Sequence, residues 1–234
     1  MLQELDQFFS EFSDLSGANT IPAFVPFFNE FYILTANKIG QFQTILEEFE
    51  PISTRIVSER RISAPRFNVF AALGIHENEV LTSRFLAYLL DPRQSHDQGA
   101  LFLLSFLRFV LGEDKELQYA NRARVILERW AGEYGRLDIA IEFPDGQIVV
   151  IENKINAEER PRQIEDYQTW LSRQGGSSHA VVFLTRTGRK SATAKDNGAP
   201  VYPLSYSKLS EWLLTVHVPD RIGTVIRQFC DNFA

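Results

Sequence analysis

The sequence predicts an α/β fold, in which a mixed central sheet is flanked by helices and preceded by an N-terminal helical extension. Two observations support this prediction. Up to about residue 112, apolar residues recur at the three- and four-residue spacing of amphipathic helices. Beyond that point, three meandering strands are followed by a helix and a further strand, an order that indicates a sheet with helices packed against it.

The N-terminal region is rich in phenylalanine and is predicted to be helical. One helix is expected over residues 2–15, and a second from Pro26 toward Pro51, because proline suits the first turn of a helix. Residues 52–68 carry several arginines and no regular period, which predicts either a connector or a substrate-facing loop. We therefore divide the chain into a helical region, 1–67, which either dimerises or caps the sheet, and a second domain, 68–234.

The second domain shows the alternation of helices and strands on which the fold class depends. A turn is expected over Gly132–Gly135, and residues 186–199 form a polar loop between two strands. Helices are expected over 77–90, 100–111, 159–173, 207–216 and 222–229, and strands from 125, over 136–143, 147–154 and 180–185, and at 201–202.

Composition limits the kind of protein. The net charge is -6, from 24 basic and 30 acidic residues, which argues against a protein that coats nucleic acid through a broad basic surface. A lone cysteine, Cys230, allows no internal disulfide or zinc site and fits a reducing cytoplasm. Residues 1–15 lack the basic start of a secretion signal, and the apolar stretch 21–34 is too short to span a membrane.

The segment Phe143-Pro144-Asp145-Gly146-Gln147 predicts a hairpin, because proline presets the first turn residue and glycine takes the left-handed position. A three-residue loop of this kind pairs Phe143 with Gln147. Counting outward places Glu152 opposite Asp138, with Cβ atoms roughly 4.5–5.5 Å apart. Lys154 follows on the same face of the second strand.

Two opposed carboxylates repel each other unless a cation lies between them. Hard oxygen ligands suit Mg²⁺ or Mn²⁺, so Asp138 and Glu152 are predicted metal ligands, and the backbone carbonyl of Asn153 is a further candidate. Lys154 is placed to orient a water or to stabilise charge that develops on a phosphate. A charged residue at a strand end is also simply solvated in many proteins, and Glu-x-Lys alone is a weak signal.

The residues Asp138 and Glu152-Asn153-Lys154 resemble the PD-(D/E)xK nuclease core, with Leu137 where the proline usually stands. The segments 135–139 and 151–155, and a helix carrying Glu79 that ends in Leu-Leu-Asp-Pro, are similar to an uncharacterised prokaryotic branch of that superfamily. The resemblance covers roughly residues 68–185 and implies a restriction-endonuclease-like fold. It also implies that Asp138 and Glu152 bind metal, that Lys154 assists the attacking water, and that Glu79 reaches the metal directly or through water.

Further residues take their expected roles from this resemblance. Gln163 and Tyr167 match the Gln-x-x-x-Tyr element of nucleases related to the RecB nuclease domain, where they either hold a phosphate or brace the site. Their four-residue spacing places both on one helix face. Tyr167 is equally consistent with a half-buried packing residue. Arg136 is expected to contact phosphate and, by the hairpin register, to lie opposite Lys154. His96 resembles a histidine that recurs in the branch, but a structural hydrogen bond is the expected role.

The resulting functional hypothesis is metal-dependent hydrolysis of phosphodiester bonds, in DNA by analogy with most relatives of this core. The competing hypothesis is an inactive nuclease-fold module that binds nucleic acid or a protein partner. The complete Asp, Glu and Lys set favours the enzyme, since binding alone does not require opposed carboxylates.

Overall fold

The computed structural model describes residues 25–64, 66–176 and 178–233. The helix expected over residues 2–15 lies outside these ranges. The chain divides into two compact units between Phe67 and Asn68, which are described separately below.

The part of the first unit that the structure describes contains one long helix, α1, over Val25–Ser63. The prediction that residues 52–68 are irregular is therefore wrong for 52–63, because the helix continues through Pro51. Arg55 and Glu59 form an i,i+4 ion pair at 3.7 Å, and Arg60 and Arg61 lie in the last turn. Cations there interact favourably with the carboxyl end of the helix dipole. Within the described ranges, no helix is long and apolar enough to cross a membrane.

The second unit contains seven helices and five strands in its described part, and confirms the predicted alternation. Two short helical turns, Ile75–Glu77 and Gly132–Tyr134, lie between some of these helices and strands. The elements are α2 (Val69–Ala72), α3 (Glu79–Leu90), α4 (Leu101–Leu111), α5 (Leu117–Ala120), β1 (Arg124–Trp130), β2 (Arg136–Glu142), β3 (Ile148–Lys154), α6 (Gln163–Ser172), β4 (Ala180–Thr185), β5 (Val201–Ser205), α7 (Tyr206–Thr215) and α8 (Asp220–Cys230).

The five strands form one mixed sheet in the order β1-β2-β3-β4-β5. The strands β1, β2 and β3 are antiparallel neighbours, whereas β4 and β5 continue the sheet in parallel. One face packs against α3, α4, α7 and α8, and the other against α6, so two apolar cores lie on opposite sides of the sheet. The predicted α/β class, with helices on both faces of a mixed sheet, is confirmed.

The hairpin between β2 and β3 has the predicted register. The N–H of Phe143 donates to the carbonyl of Gln147 at 2.9 Å, and Gly146 has a φ of 88°. The ladder then runs from Glu142 opposite Ile148 to Ile139 opposite Ile151 and ends there. It ends one pair before Asp138 and Glu152, so those two residues lie where the strands separate.

One boundary near the site differs from prediction. Helix α6 begins at Gln163 rather than at residue 159, because Pro161 precedes it and Arg162 has a left-handed φ of 60°. Residues 155–162 are therefore a loop, although the acidic pair Glu158 and Glu159 resembles a first helical turn. Side chains of other segments hold this loop, as shown below.

Candidate active site

Glu152 is the centre of the site, and its side chain is fully buried on β3. The strand carries it outward from the apolar run Val149-Val150-Ile151, which is itself buried between the two cores. Its Oε1 accepts a hydrogen bond from Gln163 at 2.6 Å and forms an ion pair with Lys154 Nζ at 2.9 Å. Its Oε2 accepts a hydrogen bond from the Tyr167 hydroxyl at 2.9 Å. A rigid strand and three donors therefore fix the carboxylate.

Asp138 lies across from Glu152, one position beyond the last ladder pair. Its Oδ2 accepts a hydrogen bond from the backbone N–H of Asn153 at 2.8 Å. The side chain thus takes the place that a backbone carbonyl of β2 would have in a continued ladder. This contact holds β2 and β3 together at the point where they diverge. The Asp138 carboxylate lies half-buried at that point.

Burial and neighbouring like charges shift the ionisation of both carboxylates. Burial, followed by the charge of Asp138, raises the pKa of Glu152 to about 7, against the lowering effect of Lys154 and Tyr167. Burial also raises the pKa of Asp138, although the Asn153 N–H and Lys154 partly offset it. Desolvation and like charge are the two causes that make a paired carboxylate resist ionisation. The site is therefore short of positive charge despite the neighbouring lysine.

Lys154 is held as an ammonium. Burial lowers its pKa, but the combined attraction of Glu152, Asp138 and Glu79 outweighs burial and the pKa is raised. The strand places Lys154 two residues after Glu152, on the same face, where its side chain is 14% exposed. A protonated lysine here is a donor and a source of positive charge, and not a base.

Helix α3 is attached to the end of β3 at two points. The Glu79 Oε1 accepts backbone hydrogen bonds from Ile155, Asn156 and Ala157 at 2.7, 3.1 and 3.1 Å. The Asn153 side-chain amide donates to the Glu79 carbonyl and to the Ser83 hydroxyl, both at 3.1 Å. Glu79 therefore lies at the site, as the resemblance implies, and one of its oxygens caps the strand end. Its role as a metal ligand stays a prediction.

Asn153 completes this attachment from the other side. Its side chain is fully buried, and its Oδ1 accepts a hydrogen bond of 2.7 Å from the Tyr206 hydroxyl at the start of α7. Three elements, α3, β3 and α7, thus meet at one amide. Its predicted use as a metal ligand, through the backbone carbonyl, stays a prediction.

Gln163 and Tyr167 lie on one face of α6 and both contact Glu152, so the expected shared face is present. Tyr167 is fully buried, and its hydroxyl oxygen lies 2.9 Å from both the Arg136 carbonyl and Glu152 Oε2, so these two acceptors share its one proton. Burial and the charge of Glu152 raise the pKa of this phenol, which therefore stays neutral. Of the two roles considered for the pair, these contacts correspond to bracing the site, and a phosphate contact stays a prediction.

Arg136 and His96 have partners of their own. The β2–β3 ladder ends before the expected pair of Arg136 and Lys154, and the Arg136 guanidinium lies 3.1 Å from Glu128 instead. Its contact with phosphate stays a prediction. His96 is buried, where its Nδ1 accepts from the Gln98 N–H at 3.0 Å and its Nε2 faces the Asp91 carbonyl at 3.1 Å. This is the expected structural hydrogen bonding.

One buried carboxylate near the site was not anticipated. Glu159 accepts hydrogen bonds from Arg189, Ser191, Ala192 and Thr193, at 2.6 to 3.1 Å. Burial raises its pKa, but these donors outweigh burial and the pKa is lowered. Glu159 thereby fastens the polar loop 186–199 beside the strands that carry the site. In the sequence it resembles the start of a helix, and the residues that bind it are some thirty positions away, so no local signal identifies it.

The donor set fits a divalent cation, although the residues that the structure describes include no ready group of three acidic, histidine or cysteine ligands. Asp138 and Glu152 supply hard oxygens, and a cation between them would offset the electrostatic repulsion between their carboxylates. In the present arrangement Lys154 is the counter-charge, so a cation shared by both carboxylates requires the ammonium to withdraw from Glu152. Glu79 is the third carboxylate within electrostatic reach of Asp138.

Comparison with protein families gives one finding. A family described as the PD-(D/E)XK nuclease superfamily matches residues 67–230. Neither the curated proteins nor the solved structures give a match. Members of the superfamily are generally nucleases that use divalent metals, and the match spans the sheet, both cores and every residue of the site described above. With its α/β fold, its buried Glu152 and the half-buried Asp138 and Lys154 beside it, the chain belongs to the PD-(D/E)XK nuclease superfamily.

Proposed function

We propose that this chain is a metal-dependent nuclease that hydrolyses phosphodiester bonds, with DNA as substrate. The observation that supports it most directly is the buried Glu152 facing Asp138, with Lys154 Nζ 2.9 Å from its carboxylate. Folding two repelling carboxylates into a strand end costs stability. A binding module gains nothing from that cost, whereas a metal centre requires it.

Asp138 and Glu152 are the proposed ligands of Mg²⁺ or Mn²⁺, with Glu79 and the Asn153 carbonyl as further oxygens. A bound cation supplies Lewis acidity toward the scissile phosphate and lowers the pKa of its water. The protein contributes rigidity: Asp138 is held by the Asn153 N–H, and Glu152 by Gln163 and Tyr167. Ligands fixed in this way lose little freedom on binding, which favours affinity.

Lys154 is the proposed partner of the reacting phosphate and water. As an ammonium it donates hydrogen bonds from Nζ to the attacking water or to a phosphate oxygen, where negative charge grows in the transition state. Its 14% exposure fits this role, because a nearly dry cation interacts more strongly than a solvated one. Since its pKa is raised, Lys154 holds its proton and does not accept one from water.

DNA is proposed by analogy, since most relatives with this core act on DNA. Arg136, which is 60% exposed and two residues before Asp138, is the proposed phosphate contact. Gln163 and Tyr167, for which both holding a phosphate and bracing the site were considered, are proposed to act through Glu152. They set its position and its hydrogen bonding.

The test is cleavage of circular plasmid DNA and of labelled single-stranded DNA with Mg²⁺ or Mn²⁺. We expect wild type to cut, and Lys154→Ala and Glu152→Gln to lose on the order of a hundred-fold or more of the rate. The exposed Lys208→Ala on α7 is the matched control and should retain activity. Cutting that persists undiminished in Lys154→Ala contradicts the proposal. Binding of DNA without cutting by wild type favours the inactive-module hypothesis instead.

A further inference from the structure

We infer that Trp130 is a stacking platform for an unpaired nucleotide beside the active site. The inference rests on the proposed function and adds to it a preferred substrate, nucleic acid whose bases are free to leave the helix. It depends on the exposure of Trp130, its neighbours in the sheet and the connection of those neighbours to Glu152.

Trp130 is unusually exposed. Its side chain is 66% accessible at the end of β1, which is an edge strand of the sheet. The chain has three tryptophans, and the other two, Trp170 and Trp212, are only 7% and 4% exposed. A large indole left in water forgoes the stabilisation that burial gives its neighbours. Edge strands are more commonly protected by charged residues.

The position of Trp130 places it beside the site. In the β1–β2 ladder Trp130 lies directly opposite Arg136. The Arg136 carbonyl accepts the 2.9 Å hydrogen bond of the Tyr167 hydroxyl, and the same hydroxyl lies 2.9 Å from Glu152 Oε2. The Tyr167 phenol therefore links the backbone of Arg136, the ladder partner of Trp130, to the carboxylate at the centre of the site. A strand whose phosphate reaches Glu152 and Asp138 passes this pair.

The neighbours of Trp130 supply positive charge for the phosphates on either side of a stacked base. Arg136 is 60% exposed and contacts Glu128 at 3.1 Å, a solvent-accessible pair that a phosphate can replace. The Arg129 guanidinium donates to the Trp130 carbonyl at 2.7 Å and is also paired with Glu142 at 3.0 Å, so Arg136 is the more available of the two cations. An aromatic ring flanked by arginines is the usual composition of a single-strand binding surface.

Stacking also suits the overall charge. With a net charge of -6, the chain gains little from long-range attraction to nucleic acid. Contact between a base and an indole depends on surface and dispersion, so it is available to an acidic protein. It requires a base whose face is open, as in a single strand, a frayed end or a flipped nucleotide. The expected preference is therefore for unpaired substrate.

The test uses the full chain in a Lys154→Ala background with Mg²⁺, so that strands stay intact, and follows tryptophan emission during titration. Because Trp170 and Trp212 are buried, a change in emission reports mainly on Trp130. We expect a deoxythymidine oligonucleotide to quench the emission, and Trp130→Phe to abolish that response. Trp130→Ala should weaken binding of this strand, measured by anisotropy, by about ten-fold. Affinity for an abasic strand of equal length, which has phosphates and no bases, should not change.

Leu214→Ala is the matched control, because Leu214 is 56% exposed on α7 and outside the proposed surface. Equal affinity of Trp130→Ala and its parent for the oligonucleotide, with emission unaffected by binding, overturns the stacking inference alone. A smaller sedimenting species for Trp130→Ala than for wild type also overturns it, since the indole then lies between copies of the chain. Absence of both nucleic-acid binding and cleavage in wild type removes the proposed function, and this inference with it.

Discussion

The backbone N–H of Asn153 donates a 2.8 Å hydrogen bond to Asp138 Oδ2 at the point where β2 and β3 separate. Asp138 thus binds the strand that carries Glu152 and Lys154. The side chain of Asn153 is held in turn by Tyr206, Ser83 and the Glu79 carbonyl. The distance between the Asp138 and Glu152 carboxylates therefore depends on the position of Asn153, whose side chain is buried.

Tyr206→Phe tests the support behind Asp138. Losing the hydroxyl leaves Asn153 Oδ1 buried without its 2.7 Å partner, which is expected to lower the free energy of unfolding by about 1–3 kcal/mol. Because Asn153 then holds Asp138 less firmly, we also expect weaker Mn²⁺ binding, measured by calorimetry at a temperature where the variant is folded. Tyr202→Phe is the matched control. Unchanged metal affinity in a destabilised Tyr206→Phe would show that the amide is purely structural.

Metal affinity should depend on pH through Glu152. A cation must displace the proton from a carboxyl whose pKa is about 7, so affinity for Mn²⁺ should rise about ten-fold per pH unit below that value. Above it the affinity should level off. Calorimetry across this range checks the prediction, and Glu152→Gln should show neither tight binding nor the slope. If the affinity for Mn²⁺ stayed constant down to pH 4.5, the ordinary pKa of a glutamate, the raised pKa of Glu152 would be contradicted.

The stability of the metal-free protein should fall as pH rises, whereas its metal affinity should rise. The folded pKa of Glu152 lies above its ordinary 4.5, so the neutral form stabilises the fold below pH 4.5 and this contribution is lost as pH rises to about 7. The loss is about 3 kcal/mol at most, from roughly 1.4 kcal/mol per pKa unit. Urea unfolding with a chelator should show wild type weakening relative to Glu152→Gln over that interval. Saturating Mn²⁺ should restore it.

Tyr167→Phe should impair catalysis more than folding. The ring remains to fill its buried place on α6, while Glu152 Oε2 and the Arg136 carbonyl lose their shared donor. We expect kcat to fall on the order of ten-fold or more with a small change in KM, because the hydroxyl contacts Glu152, the proposed metal ligand. A large rise in KM at constant kcat would instead favour the phosphate-holding role first considered for Tyr167.

Glu159→Gln should loosen the loop 186–199. The amide side chain of this variant can keep some of the four hydrogen bonds but loses the ion pair with Arg189 at 2.9 Å. The carboxylate is 5% exposed, so the cost should reach about 1–3 kcal/mol. Limited proteolysis should then cut within residues 186–199 faster than in wild type. The exposed Glu158→Gln, on the neighbouring residue, is the control and should leave the cleavage rate unaltered.

Removal of residues 1–67 tests the predicted division of the chain. Both cores of the sheet lie within residues 68–234. If the N-terminal region dimerises, the shortened chain should be a soluble monomer by sedimentation. If it caps the sheet instead, the shortened chain should aggregate through exposed core.

Local patterns in the sequence were sufficient to predict the sheet elements and the hairpin. Short apolar runs and a Pro-Asp-Gly turn have local causes, namely the burial of central strands on both faces and the backbone preferences of proline and glycine. The register counted from this turn placed Glu152 opposite Asp138, one pair beyond the end of the ladder, with Lys154 on the same face of the sheet. The path of residues 52–63 was misjudged, because Pro51 and the β-branched residues and serines that follow it have weak local preference for a helix.

The contacts that hold the site, in contrast, arise only in the folded chain. Asn153 meets Tyr206, Glu152 meets Tyr167, and Glu159 meets Arg189 across gaps in the chain that no local pattern spans. The exposure of Trp130 is likewise a property of the assembled sheet, since its sequence neighbours give no sign of it. Buried polar groups must find partners wherever packing brings them, and that packing depends on the whole chain at once.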